Sequence, residues 1–134
     1  MSPKILITGA GGPAAVAFIK AVAHLDIELH GADMDPYAAG LYLLPEPCRH
    51  LLPCGSASHY VDAVVALALQ RGIQVIVPTV DEELIPLARA RRRLRRCGVE
   101  LLCAGVDALS ICLDKQALIE RCRGRVPVPR SEVY

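Results

Sequence analysis

The sequence predicts an α/β fold in which a parallel sheet of about five strands is covered by helices on both faces, the doubly wound arrangement. Hydrophobic residues make up 53% of the 134 residues and aromatic residues only 4%, so the core must be aliphatic, as in a buried parallel sheet. Short apolar segments also alternate with helical patterns along the chain. Such alternation favours right-handed βαβ units.

The elements follow one another in a regular order. The first strand, 4–8, ends in a glycine cluster, and Pro13 suits the first turn of a helix that covers 14–24. Ser56 or Ser58 is expected to cap a later helix, which Gly72 ends. The other predicted strands are 27–33, 49–53, 73–77 and 99–103. The other predicted helices are 60–71, 81–96, 107–112 and 114–123, and 34–47 is predicted as a proline-rich loop with one helical turn.

Composition excludes several classes of protein. The net charge of +1 gives no reason to expect a nucleic-acid partner, and no stretch is long and apolar enough to cross a membrane. The N-terminus lacks a signal-peptide pattern, so a cytoplasmic location is expected. Six cysteines are present without a CxxC pair or a zinc spacing, which predicts free thiols and no metal site.

The turn after the first strand fits the pattern GxGxxA from Gly9 to Ala14. Together with Asp33 at the end of the second strand, this turn forms a nominal NAD(P) fingerprint, in which the carboxylate accepts the ribose hydroxyls. A plain tight turn is an alternative. A third hypothesis places a substrate anion or phosphate near Gly11 and Gly12, at the start of the next helix.

Acidic residues begin the helix after the fourth strand. Asp81, Glu82 and Glu83 are expected at the same sheet edge as the glycine turn, where carboxylates could orient an amine or a metal-bound phosphate. The alternative is ordinary stabilisation of a helix dipole, at roughly 0.3–1 kcal/mol per residue.

Two further groups of charged or titratable residues have simpler interpretations. An arginine cluster, defined here as Arg89, Arg91, Arg92, Arg93, Arg95 and Arg96, lacks nearby aromatic residues for stacking on bases. A solvated helix face or contact with an acidic partner surface is expected instead. The histidines are His24, His30, His50 and His59, and their positions show no ligand spacing, so surface or hydrogen-bonded roles are predicted.

Four segments in sequence order resemble the opening of ATP-grasp enzymes, most closely the group similar to the carbamoyl-phosphate synthetase large subunit. The segments are ILITGAGG, GADMDPYAAGLYL, VIVPTVDEELIPLA and LDKQALIERCRGRVPVP. The resemblance implies that residues 1–113 form a Rossmann-like preATP-grasp domain, a type that usually does not bind a dinucleotide. It implies that residues 114–134 begin an ATP-grasp domain. The alternative to this reading remains an NAD(P)-binding domain of an oxidoreductase.

The resemblance also implies roles for individual residues. Lys115 matches the lysine expected to contact ATP phosphates, while Gly11, Gly12, Asp81 and Glu82 match positions on the substrate side of the cleft. The family often has a Glu in a PE-type motif where this sequence has Thr79 and Asp81, so the substrate is expected to differ.

The implied activity belongs to a longer enzyme, which would use ATP and Mg²⁺. There ATP activates a carboxylate or bicarbonate, and an amine attacks the resulting acylphosphate. This chain corresponds to the first third of such an enzyme, and no catalytic residue is assigned to it, so it is expected to be inactive and to bind no cofactor alone. Its expected partners are the remainder of the enzyme, in the same or a separate chain, the two small substrates, and a second copy in a homodimer.

Overall fold

The structure is a computed structural model, which describes residues 1–130, and its centre is a five-stranded parallel sheet in the order β3-β2-β1-β4-β5. The strands are β1 (Lys4–Thr8), β2 (Glu28–Asp33), β3 (Arg49–Leu51), β4 (Val75–Val77) and β5 (Glu100–Leu101). The helices are α1 (Pro13–Val22), α2 (Tyr60–Arg71), α3 (Asp81–Arg96), α4 (Val106–Cys112) and α5 (Lys115–Cys122). Every neighbouring strand pair is parallel, which confirms the predicted sheet.

The helices cover both faces of the sheet, as the doubly wound prediction requires. On β1, Leu6 packs in a cluster with Val64 of α2 and Leu87 of α3. The next residue, Ile7, points to the other face and packs with Ile19 of α1. Complete burial of each such aliphatic side chain contributes roughly 1.5–3 kcal/mol, so the alternation along β1 holds both helical layers in place.

Two compact units make up the chain, Met1–Cys103 and Ala104–Tyr134. The first contains the sheet and helices α1–α3, and the second contains α4 and α5. The predicted boundary between residues 113 and 114 concerns the start of an ATP-grasp domain and stays a prediction. Residues 126–130 of the predicted extended tail have no regular secondary structure, and residues 131–134 lie outside the described residues.

The ends of the helices test the predicted caps. Gly72 ends α2 in the left-handed conformation with φ of 69°, as predicted. The predicted caps Ser56 and Ser58 are wrong, because the residue before α2 is His59 and no side chain caps this helix. The hydroxyl of Ser56 instead lies 3.2 Å from Cys54 Sγ.

The proline-rich segment between β2 and β3 forms two short 3₁₀ turns, Ala39–Leu43 and Glu46–Cys48, where one helical turn is predicted. Gly40 lies so close to the glycine turn that an added Cβ would stand 2.0 Å from Ala10 O. The segment is therefore packed against the end of β1. Across residues 1–130, no helix is long and apolar enough to cross a membrane.

Candidate functional site

A cavity of about 230 Å³ opens at the carboxyl edge of the sheet. The strand order is 3-2-1-4-5, so β2 and β3 are added on one side of β1, and β4 and β5 on the other. Open α/β sheets bind ligands at the carboxyl ends of the two strands where this order reverses, here β1 and β4. The cavity is lined by residues that follow β1, β2, β3 and β4: Thr8, Gly9, Ala32, Asp33, Met34, Leu52, Pro53, Cys54, Gly55, Tyr60, Val80, Glu82 and Glu83. No lysine or arginine is among these described lining residues.

Glu83 lines this cavity and is held by hydrogen bonds on both of its carboxylate oxygens. The residue is only 3% exposed. One carboxylate oxygen accepts hydrogen bonds from Thr8 Oγ1 at 2.6 Å and from the backbone N–H groups of Thr79 at 2.9 Å and Val80 at 3.0 Å. The other oxygen accepts from the Tyr60 hydroxyl. This single side chain therefore ties together β1, the loop after β4, α2 and α3.

The Tyr60 phenol remains protonated beside this carboxylate. Burial, together with the neighbouring charge of Glu83, raises the pKa of Tyr60 well above its usual range. A phenol that keeps its proton is a permanent donor to Glu83. Tyr60 therefore holds Glu83 in place in the cavity lining.

Asp33 organises the glycine turn from the end of β2. Its Oδ2 accepts the Gly11 N–H at 2.8 Å, and its Oδ1 accepts the Asp35 N–H at 3.0 Å. Gly9 precedes this contact with φ of 63°, and a Cβ there would stand 2.2 Å from Val80 Cγ2. Only glycine allows β1 to approach the loop after β4 so closely.

The amides predicted to hold an anion have partners inside the turn. Gly11 donates to Asp33, and Gly12 donates to Gly9 O at 2.9 Å. Neither residue lines the cavity, and Pro13 at the first position of α1 offers no N–H. The assignment of Gly11 and Gly12 to the substrate side stays a prediction, but these two amides are not free donors.

The three acidic residues in the first turn of α3, Asp81, Glu82 and Glu83, lie in three different environments. Asp81 is exposed and lies outside the cavity, Glu82 is exposed and lines it, and Glu83 is buried and lines it. The buried position of Glu83 had a signal in the sequence, because it precedes the core residues Leu87 and Leu94 by four and eleven residues. These spacings place all three on one helix face.

Lys115 lies in the second compact unit, Ala104–Tyr134. It is the first residue of α5, directly after Asp114, whose Oδ1 accepts the N–H groups of Gln116 at 3.0 Å and Ala117 at 3.1 Å. This confirms Asp114 as the cap. Lys115 is exposed, and no hydrogen bond or ion pair of its ammonium is found within residues 1–130.

Within residues 1–130, side-chain bonds are seen for three members of the arginine cluster. Arg91 donates to the backbone carbonyls of Leu101, at 2.8 Å, and Cys103. Ion pairs join Arg93 to Asp62 and Arg95 to Glu100 at 2.5 and 2.9 Å. These bonds reduce the charge left for the predicted acidic partner to the exposed residues Arg89, Arg92 and Arg96.

Comparison with known proteins gives one family and a set of similar folds. The model of the family "PylC-like, N-terminal domain" matches residues 5–102. A structure of glycinamide-RNase-transformylase T from Mycobacterium tuberculosis superposes with a TM-score of 0.64 at 13% identity, covering 91% of this chain and 34% of that chain. The biotin carboxylase domain of a single-chain bacterial carboxylase gives 0.58 at 19% identity, covering 91% and 29%.

A dinucleotide-bound protein also shares the fold. The dTDP-glucose 4,6-dehydratase from Bacillus anthracis, in complex with NAD, gives a TM-score of 0.53 at 15% identity, covering 75% of this chain and 36% of that one. At these identities the structural matches establish the fold alone. The chain spans about a third of the length of each of these three structures. A search of curated proteins found no match to this sequence.

Proposed function

Because the chain belongs to the PylC-like N-terminal domain family, a preATP-grasp domain of ATP-grasp enzymes, we propose that it forms the substrate-side wall of an ATP-dependent carboxylate–amine ligase. The observation that supports this role is the cavity at the carboxyl edge of the sheet, which Asp33, Glu82 and Glu83 line without any basic residue. The NAD(P)-dependent oxidoreductase is not favoured, because the matched family is a preATP-grasp domain.

We assign the cavity to the amine substrate in its ammonium form. Carboxylates attract a cation and repel a carboxylate or phosphate, and one charge pair at about 4 Å near a protein surface is worth roughly 1–4 kcal/mol. Asp33 accepts one amide hydrogen bond on each oxygen and keeps lone pairs for a ligand. Glu82 is exposed at the rim, where it can contact the ligand directly.

The buried residues have a supporting role in this proposal. The carboxylate of Glu83 already accepts four hydrogen bonds, so it holds the cavity wall rather than the ligand. The apolar residues Ala32, Leu52 and Val80 complete the lining and suit an aliphatic portion of the substrate. The cavity thus fits a small molecule with a cationic group on an aliphatic carbon.

The remaining parts of the proposal come from the family resemblance. ATP supplies the phosphoryl group that activates the carboxylate in the whole enzyme, with Mg²⁺ bound to the nucleotide. The exposed ammonium of Lys115, which has no hydrogen bond or ion pair within residues 1–130, suits contact with phosphate oxygens. The narrower likeness to carbamoyl-phosphate synthetase, the joining of this domain to the rest of such an enzyme, and a cytoplasmic location are part of the same proposal.

Matched probes of opposite charge test the amine assignment on the 134-residue chain. Propylammonium and propionate have the same aliphatic length, so only the charged group differs when each is titrated against the ¹⁵N-labelled protein. We expect propylammonium to shift the amide resonances of Gly9, Asp33 and Glu82, and propionate to leave them unchanged. Equal shifts with both probes, or shifts with propionate alone, would refute the assignment.

A further inference from the structure

A second cluster of functional side chains lies at the sheet edge opposite the cavity. Glu28 is the first residue of β2, His30 lies two residues further on the same face of that strand, and Cys48 immediately precedes β3. One ligand atom from each of these three residues lies within 4.8 Å of the other two. Because the three residues come from two separate segments, their positions in sequence showed no metal spacing.

The central histidine of this cluster is buried and fixed on both ring nitrogens. His30 is 3% exposed. Its Nε2 lies 2.9 Å from Glu28 Oε1, and its Nδ1 lies 2.8 Å from Nε2 of His50, whose ring is stacked on it. Since the Glu28 carboxylate can only accept, His30 Nε2 is the donor there, and one further hydrogen bond joins His30 Nδ1 to His50 Nε2.

We propose that Glu28, His30 and Cys48 bind a divalent metal ion of borderline softness, with Zn²⁺ as the best match. A thiolate, an imidazole and a carboxylate are three common zinc ligands, with metal–ligand distances of about 2.0–2.3 Å. A tetrahedral ion then separates its ligand atoms by about 3.4–3.6 Å. The three ligand atoms now lie within 4.8 Å of one another, so side-chain rotations must bring them to these separations around one ion.

The surroundings supply the features that a metal site needs beyond its ligands. A ligating histidine usually donates its other ring N–H to a neighbouring acceptor, which fixes the ring. His50 occupies this position beside His30 Nδ1. A groove bordered by Leu44, Glu28 and Cys48 opens the cluster to solvent and provides an entry path. Three protein ligands leave the fourth position to water.

Binding of a metal ion at this cluster changes which ligand atoms carry protons. A cysteine binds a metal ion as the thiolate, so the Cys48 sulfur gives its proton to solvent when the ion binds. His30 gives up its Nε2 hydrogen bond to Glu28 so that Nε2 can bind the ion, and its Nδ1–H then donates to His50 Nε2.

Lys4 is the competing cation in this cluster. Its ammonium lies 2.9 Å from the same Glu28 oxygen that would bind the metal. The side chain of Lys4 is 31% exposed, so the ammonium can turn to solvent when the ion arrives. The alternative state without a metal is a hydrogen-bonded relay that joins Lys4, Glu28, His30 and His50.

Cobalt titration of the reduced 134-residue chain distinguishes these two states. Co²⁺ occupies zinc sites and reports a bound thiolate through an intense charge-transfer band in the near ultraviolet. We expect a 1:1 complex with this band and displacement of cobalt by Zn²⁺. Absence of the band at millimolar Co²⁺ would overturn the proposal in favour of the relay.

Two serine variants assign the sulfur. Cys48→Ser removes the proposed ligand, whereas Cys112→Ser changes an exposed thiol in the other compact unit. We expect the band to disappear and the affinity to fall at least about tenfold in Cys48→Ser, with no change in Cys112→Ser. A circular-dichroism spectrum confirms that each variant folds, and Glu28→Gln changes a second, half-buried ligand with the same expected loss of affinity. An unchanged band in Cys48→Ser would refute the site.

Discussion

Replacement of Glu83 by alanine should be among the most damaging changes to this domain. The substitution removes the acceptor of four hydrogen bonds at a residue that is 3% exposed. A buried donor without a partner costs about 1–3 kcal/mol, and the costs of neighbouring groups do not add fully because water can enter the space left behind. We therefore expect the free energy of unfolding to fall by about 3–5 kcal/mol.

Glutamine is the informative second substitution at this position. Glu83→Gln retains one acceptor oxygen for Thr8 and the two backbone amides, and its NH₂ group can donate to Tyr60 if the phenol accepts instead. The expected loss is about 1–2 kcal/mol, mainly the charge-assisted part of the hydrogen bonds. Glu82→Gln, one residue earlier and exposed, is the matched control and should stay within about 0.5 kcal/mol of wild type.

Urea unfolding followed by circular dichroism at 222 nm measures these differences, provided that the slope of the transition is the same for each variant. The reasoning predicts the order wild type, then Glu83→Gln, then Glu83→Ala in decreasing midpoint. A Glu83→Ala midpoint equal to that of Glu82→Gln would show that the hydrogen bonds of Glu83 contribute little, and would refute the role given to this residue.

Two further stability predictions have matched controls. Gly9→Ala places a Cβ 2.2 Å from Val80 Cγ2 and should lower the free energy of unfolding by about 3 kcal/mol or more. Gly98 is also at positive φ but has open space around it, so Gly98→Ala should lower the free energy of unfolding by only about 1–2 kcal/mol. Similar thermal midpoints for the two variants would contradict this prediction. Arg91→Ala removes donors to two backbone carbonyls at and just after β5, so the free energy of unfolding should fall by about 1–3 kcal/mol. Arg92 is exposed, and Arg92→Ala should change the free energy of unfolding by no more than about 0.5 kcal/mol. Equal urea midpoints for the two variants would contradict this prediction.

Much of the fold could be predicted because local signals and tertiary structure agree. Pro13, Gly72 and Asp114 mark helix ends by the backbone conformation or hydrogen bonds that each residue type favours, and all three occupy those places. The capping prediction for Ser56 and Ser58 failed because the chain makes an additional turn before α2, with the Tyr60 N–H bonded to Ala57 O. Several residue types can start a helix, so the local signal there was ambiguous.

The site was less accessible to sequence reasoning because its contacts join distant strands. The acidic triplet was located at the correct sheet edge, but the separate environments of Asp81, Glu82 and Glu83 depend on how α3 is rotated against the sheet. Similarly, His30 and His50 become neighbours only because β2 pairs with β3. Strand order determines such contacts, and the spacing of residues along the chain does not reveal it.

Charge reversal at the cavity rim tests the central claim, recognition of an ammonium group, most directly. Glu82→Lys changes a residue that lines the cavity, and Asp81→Lys makes the same change in net charge at the adjacent exposed residue outside it. Dissociation constants for propylammonium, measured by NMR titration, should rise about tenfold or more in Glu82→Lys and stay within about twofold in Asp81→Lys. Equal effects of the two variants would contradict amine recognition in this cavity.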